Sequence, residues 1–328
     1  MVKNMDELLE QMNGKGKSPM LRGDDEAFTT ERMKFGIPTL DKMTGGGVPS
    51  RRLTYIAGPS NVGKSFLAGQ LVKEATKEDG DLAVWVDNEL SWDAKWVTKN
   101  GVDVEKVAVR QPASGEEAFE SIFEALQNPN VKIVVLDSMA GIVPTQQLEQ
   151  EDFNIPPMAL QARFISANLP RIMVALRESN AALVIINQLR DSLGSYTGGE
   201  VMPGGKAQRY FAHLILFARR VGWITPSTKD KTRIGFNIKI AMDKTKAGGD
   251  HYSAVEVPFR VEGGIDPIET NIREGEARGL VIKKGAYYYY GGEKGVMGLN
   301  GLREFFMNNP ELYKTLEDDL DAGVVDLE

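Results

Sequence analysis

Five short runs rich in branched apolar residues, at 53–57, 82–86, 107–110, 133–136 and 183–186, recur through the first two thirds of the chain, with helix-like stretches near 64–78, 91–99, 115–127 and 158–179 between them. A sheet with one wet face alternates apolar and polar side chains. These runs do not alternate, so they read as strands covered on both faces and joined by helical crossovers. The pattern predicts an α/β fold with a mainly parallel central sheet. From about 213 the texture changes: 214–218, 235–241 and 255–261 are separated by turn-forming breaks with no helix long enough for a crossover, and the sheet is expected to gain antiparallel strands there. The remainder, helical near 269–279, 299–308 and 311–320 around a strand at 287–290, reads as a small α/β C-terminal domain over 266–328. At the other end, Met5, Leu8, Leu9 and Met12 keep one helical face until Gly14, Gly16, Ser18 and Pro19 break it. That leaves an arm over 1–33 and a core over 34–265. The arm's apolar stripe either folds back on its own chain or lies on a neighbouring subunit.

Composition removes much of enzymology. The 328 residues include no cysteine, which excludes disulfides, thiolate metal sites and thiol catalysis, and the two histidines, His213 and His251, are too far apart in sequence to suggest a histidine metal site or triad. No stretch approaches the roughly 20 apolar residues of a membrane span, and the start MVKNMDELLEQMNGKGK lacks the apolar run of a secretory signal. A cytoplasmic protein with no membrane partner is expected. The net charge of −7 argues weakly against nucleic acid, but residues 311–328 carry seven carboxylates against one lysine, so the body is nearly neutral. The acidic tail is either a solvated end or a competitor for a basic groove on the same protein.

Gly58, Pro59, Ser60, Asn61, Val62, Gly63, Lys64 and Ser65 match G-x-x-x-x-G-K-[ST], directly after a strand and at the mouth of a helix that continues with Phe66. Glycines let the backbone curl so that its N–H groups surround phosphates. The helix adds its positive end, Lys64 can reach the β and γ oxygens, and Ser65 can ligate Mg²⁺. The run 133–136 then ends in Asp137, placed to hold water on the metal, although strand-end aspartates are also common caps. The run 82–86 ends in Asp87-Asn88-Glu89, and Glu89 is the candidate to orient or deprotonate the water that attacks the γ-phosphate, with a solvated turn acid as the plainer alternative. After 183–186 come Asn187 and Gln188, and an amide there can sense the γ-phosphate and lose that contact on hydrolysis. Trp96 can stack on adenine, or belong to the core.

Together these pieces resemble the RecA family of DNA strand-exchange recombinases, including its bacteriophage branch. The resemblance runs from Gly16-Lys-Ser-Pro-Met-Leu-Arg22 through Thr39-Leu-Asp41, Gly45-Gly-Gly47, the phosphate-binding loop, Val86-Asp-Asn-Glu89, Leu136-Asp-Ser138 and Ile186-Asn-Gln188-Leu-Arg190 to Gly204-Gly205 and Gly285-Ala-Tyr-Tyr-Tyr-Tyr290. The stretch Val261-Glu-Gly-Gly-Ile-Asp-Pro267 is similar to the phage members. The resemblance implies a RecA-like ATPase core using ATP and Mg²⁺, with Lys64 and Ser65 on phosphate and metal, Asp137 as metal-side acid, Glu89 as base and Gln188 as sensor. It puts Trp96 against adenine and Asp93 near the base. It implies that Lys244 and Lys246 reach the ATP of the adjacent subunit, where positive charge supplied across an interface acts as an arginine finger does.

Two long polar connections follow Asp137 and Gln188, roughly 145–157 and 190–204, and loops of that length are usually functional or disordered. Their chain positions are those of the family's two DNA-binding loops. The first is acidic, so binding there would rest on backbone N–H groups and the helix end near Met158, with Met158 or Ile155 wedged between bases. Arg163 matches a family arginine that touches DNA backbone. The second offers Arg190, Tyr196, Gly204, Gly205 and Lys206, with Arg209 weaker. Compared with bacterial members, the first loop is one residue longer and the second one shorter. The implied activity is DNA-dependent ATP hydrolysis by helical filaments on single-stranded DNA, with pairing to double-stranded DNA and strand exchange in recombination and repair. Single-strand-binding and mediator proteins would be accessory partners. The competing readings are a hexameric motor or helicase of the same core fold, and an ATP-gated mediator without catalysis.

Overall fold

A computed structural model describes residues 4–13, 20–25, 28–149, 158–191, 200–203, 206–226, 230–246, 253–292 and 295–322. The chain divides into two units, Met1–Glu31 and Arg32–Glu328. In the first, the Met5–Asn13 helix starts where the Asn4 side chain accepts from the Glu7 N–H (2.9 Å), an N-cap contact that serves one of the helix's orphan donors. Met5, Leu8 and Met12 are exposed. Asn13 exchanges two hydrogen bonds with the backbone of Met20.

The second unit is built on a nine-stranded sheet. Its strands are β1 (Leu53–Gly58), β2 (Leu82–Asp87), β3 (Val107–Arg110), β4 (Val131–Asp137), β5 (Ala182–Gln188), β6 (Leu214–Ile224), β7 (Gly235–Thr245), β8 (Ala254–Arg260) and β9 (Gly264–Ile265), in the order β9-β8-β7-β6-β1-β5-β4-β2-β3. From β6 to β3 every pairing is parallel, and from β6 to β9 every pairing is antiparallel. The antiparallel part of the sheet does not begin at 213, where the texture of the sequence changes. The strand at 214 runs parallel to β1, and the antiparallel part begins one strand later. The break signals around 225–234 reveal where β6 turns into β7. They say nothing about how the chain entered β6, which it does through a crossover whose described helix, Lys206–Phe211, has six residues.

The absence of polar alternation has a direct structural cause. Ile56, Ile133, Val135, Val184, Ile186, Ile238 and Ile240 pack into a core on one face under the Lys64–Ala75 helix. Their neighbours Leu53, Tyr55, Val134, Leu136, Leu183 and Ile185 pack into a second core under the Gly115–Leu126 and Met158–Glu178 helices. Each central strand supplies both layers, so each must be apolar throughout. In β7 one extra residue, Asp243, lies between Met242, opposite Leu216, and Lys244, opposite Ile215. Such a bulge shifts the side-chain alternation by one.

The Pro267–Arg278, Gly298–Asn308 and Pro310–Ala322 helices enclose a separate apolar cluster of Ile272, Val281, Tyr288, Tyr290, Leu302, Phe306, Leu316 and Leu320. At its junction with β8, Arg260 donates to Asp266 (3.1 Å) and Glu269 (2.9 Å), both acids being nearly inaccessible, while Arg303 also reaches Asp266 and Arg273 reaches Glu269. Among the described residues no helix is long and apolar enough to cross a membrane.

Candidate functional site

β1 is buried along its length and ends at Gly58, where a Cβ would lie 2.2 Å from the backbone oxygen of Ala218. Only glycine lets β6 approach that closely. Gly63, at φ +93°, caps the next helix in the left-handed region, and a Cβ there would meet the Ile238 side chain at 2.5 Å. Between them Asn61 takes φ 57°, a conformation asparagine tolerates better than most residues. The first and last glycines of the motif are thus required by packing as well as by the loop's curl.

Beyond the loop opens a cavity of about 360 Å³, lined by Ser60 to Phe66 together with Glu89, Trp96, Asp137 and Gln188. Strand ends explain the gathering. β1, β5, β4 and β2 are parallel neighbours, so their carboxyl ends meet at one edge, the usual place for ligands in open α/β sheets. Asp137 closes β4, 2% exposed, and its Oδ2 accepts from Ser65 Oγ (2.7 Å). Glu89 lies just past β2, where its Oε1 accepts from Ser138 Oγ (2.5 Å) and from Gln188 Nε2 (3.1 Å). The Lys64 ammonium donates to the carbonyls of Gly58 (3.0 Å) and Pro59 (2.6 Å). Gly58 also accepts from the Leu189 N–H (3.3 Å), so the phosphate-binding loop and the start of the second connection share one carbonyl.

Burial dominates the electrostatics. It raises the Asp137 carboxyl to about 6; Glu89 and Asp87 push the same way, while the Ser65 hydrogen bond and Lys64 oppose it. Burial lowers Lys64, against the pull of Asp137 and Glu89. A carboxyl raised by burial beside a buried ammonium is a site ready to take charge from a ligand. No cluster of three or more His, Asp or Glu side chains forms a metal cage among the described residues. One buried carboxylate beside a serine hydroxyl instead suits Mg²⁺, which keeps several waters and takes much of its coordination from phosphate.

The aromatic wall is wider than the sequence indicates. Trp96, 38% exposed, meets the Phe66 ring edge to face (6.2 Å), and Phe66 in turn packs on Phe259 (4.8 Å). Phe236 and Phe259, from the antiparallel strands, line the cavity as well. Asp93 does not line it. Its carboxylate caps the Ala94–Lys99 helix by accepting from the Trp96 N–H (3.0 Å), and so sets where Trp96 stands. Asp87, buried at the end of β2, accepts from the backbone of Ser91 and Trp92 and from Gln111, and these bonds shape the turn that carries Glu89.

Lys244 and Lys246 stand away from this cavity. Lys244 donates to the Arg209 carbonyl, and Lys246 donates to that of Tyr210 (3.0 Å), at the end of the Lys206–Phe211 helix. Burial first, then Lys246 and Arg209, lowers the Lys244 pKa. Arg209 itself is paired with Asp243 (2.5 Å).

Of the expected DNA contacts, Arg163 is exposed on the Met158–Glu178 helix. Met158 begins that helix, Arg190 pairs with Val201 in a two-residue ladder, and Lys206 begins its own helix. Tyr196, Gly204, Gly205 and Ile155 lie outside the described residues. The start of the first connection is not wholly irregular: 145–148 makes a short helix, with the Thr145 N–H and hydroxyl both on Glu116 (2.8 and 2.7 Å). Gln161 donates to the carbonyls of Met139, Ala140 and Ile142 beneath it.

The sequence pattern of the RecA N-terminal domain matches residues 2–266. Over 311 residues the chain is 32% identical to Protein RecA of Aquifex pyrophilus, covering 94% of this chain and 87% of that protein. It is 32% identical to Protein RecA of Rippkaea orientalis over 317 residues (94% and 87%) and 31% identical to that of a Nostoc species over 329 residues (97% and 88%).

Proposed function

The chain belongs to the RecA family, and from that premise we propose that it is a cytoplasmic, ATP-dependent DNA recombinase of the family's bacteriophage branch. It forms helical filaments on single-stranded DNA, pairs them with homologous duplex and exchanges strands, hydrolysing ATP as it does so. The observation that carries the reading is the convergence of Lys64, Ser65, Asp137, Glu89 and Gln188 on one cavity, with the Gln188 amide resting on Glu89. Val261-Glu-Gly-Gly-Ile-Asp-Pro267 supports the phage branch.

Ser65 and Asp137 would hold Mg²⁺, which when bound supplies positive charge to the phosphate oxygens. Lys64 turns from its loop carbonyls to the β and γ oxygens, and Trp96 and Phe66 flank the base. Glu89, oriented by Ser138 and Gln188, holds the attacking water and takes its proton. Gln188 moves its amide from Glu89 to the γ-phosphate, so the segment that begins the second DNA loop registers which nucleotide is present. Lys244 and Lys246 act on the neighbour's ATP, which makes hydrolysis depend on assembly. Duplex homology is read by base pairing, so the protein needs contacts to phosphate and not to base edges.

The test is ATP hydrolysis with and without single-stranded DNA, combined with electron microscopy. Stimulation by the polymer and open helical filaments are expected. Closed rings, or hydrolysis indifferent to DNA, would overturn the proposal.

A further inference from the structure

Alternation along β5 sends adjacent side chains to opposite faces of the sheet. Gln188 projects toward the phosphate-binding loop, where it meets Glu89. Asn187, fully buried, joins the other face. Its Nδ2 donates to the Gln208 side-chain oxygen (3.0 Å) and the Pro203 carbonyl (3.2 Å), and its Oδ1 accepts from the Gln188 N–H (2.9 Å). Gln208 is also fully buried, and its Nε2 donates to the same Pro203 carbonyl (2.6 Å). Two buried amides therefore bind the outgoing end of the second connection to its returning end. One and two residues beyond Gln208, the same short helix offers the Arg209 and Tyr210 carbonyls to Lys244 and Lys246.

A leucine at 208 would fill the same space without the desolvation cost of a buried amide. A buried polar pair in which every side-chain amide N and O has a partner fixes one arrangement of the chain over its alternatives. We infer that Gln208 is a positioning residue: it holds Pro203 in register with Asn187, so that a change at Gln188 is passed to the base of the DNA-gripping connection and to the lysine pair. The inference rests on the recombinase reading.

The experiment compares the full-length protein with Gln208→Leu and with Gln208→Glu, which keeps the length and the acceptor for Asn187 but cannot donate to Pro203. In both variants the concentration of single-stranded DNA giving half-maximal ATPase stimulation should rise about tenfold, a usual size for coupling between sites. The KM for ATP and the maximal rate at saturating DNA should stay within about twofold of wild type, because no nucleotide contact is removed. The gain in single-strand affinity produced by a non-hydrolysable ATP analogue should shrink by a similar factor. Thermal unfolding shows which variants are folded; if Gln208→Leu is not, Gln208→Glu carries the test. An unchanged DNA requirement in a folded variant overturns the inference. So does a parallel fall of ATP affinity, maximal rate and DNA response, which would make Gln208 a purely structural residue. Wild-type protein that ignores single-stranded DNA would refute the recombinase reading itself, and the inference with it.

Discussion

Asp137 gives the sharpest test of the nucleotide site, because its two linked equilibria respond to acid in opposite directions. Its carboxyl is raised to about 6, chiefly by burial, so the free native site holds a proton that a solvated aspartate would have released. Mg²⁺ and its nucleotide need the ionised form. Proton and metal therefore compete, and nucleotide affinity measured with excess Mg²⁺ should be flat above about pH 7 and fall about tenfold per unit below pH 6, or about 1.4 kcal/mol per unit. Folding shows the other sign. A carboxyl whose native pKa lies above its unfolded value contributes stability that is complete below the unfolded pKa, near 3.9, and is lost as pH rises through about 6. With metal and nucleotide absent, the contribution is on the order of 2–3 kcal/mol at the acid end. Energy transfer from Trp96 to a fluorescent ATP analogue reads the first curve, and urea unfolding of metal-free protein reads the second. Asp137→Asn is the control. It should flatten both pH dependences and weaken Mg²⁺-dependent binding at neutral pH. Equal acid slopes in wild type and Asp137→Asn, or an affinity that holds steady to pH 5, would refute the assignment of the metal to this carboxylate.

Glu89→Gln keeps a group that can stay bonded to Ser138 but cannot take a proton. Steady-state hydrolysis should fall by about 10²- to 10⁴-fold, while ATP affinity from equilibrium titration changes only a few-fold. Neutralising Lys244 and Lys246 together should remove DNA-stimulated turnover, a loss of about 10³ or more, and leave ATP binding to the isolated subunit intact. At the junction before the C-terminal cluster, Arg260→Ala strips one partner each from two buried carboxylates that keep Arg303 and Arg273. Breaking a buried ion pair outright costs about 3–5 kcal/mol. With the remaining arginines in place, about 2–3 kcal/mol of lost stability is expected, read as a lower urea midpoint at unchanged slope.

The parts of the candidate nucleotide site are legible in the sequence because they sit at strand ends. An apolar run followed at once by Asp137, Glu89 or Gln188 announces both the strand and its functional edge, and parallel strands bring such edges together wherever they lie in the chain. The supporting residues were not legible, for a physical reason. Gln208 and Gln161 lie on helices, where a glutamine reads as a solvated side chain, and only the fold shows that their amides satisfy buried carbonyls. Asn187 does carry a signal in the sequence: on β5 it shares the parity of Leu183 and Ile185, which places it in the core facing the Met158–Glu178 helix. In the sequence Phe236 and Phe259 are simply parts of the later strands. Their place beside Trp96 depends on the order of strands across the sheet, which local patterning does not encode. The direction of β6 is likewise not encoded locally, since a strand's texture records burial and not orientation.

The extra residue at Asp243 governs which insertions and deletions this segment can absorb. Ile238, Ile240 and Met242 are packed beneath the Lys64–Ala75 helix, and in an unbroken strand Lys244 would follow them into hydrocarbon. The bulge resets the phase, sending Lys244 across the sheet to the Lys206–Phe211 helix. Deleting Asp243 would close the bulge with Lys244 directly after Met242 and still opposite Ile215, so both lysines would keep their outlook and only the local bend of the strand would be lost. What this stretch must keep is therefore the opposite facing of Met242 and Lys244, which the bulge supplies and a direct junction would supply as well.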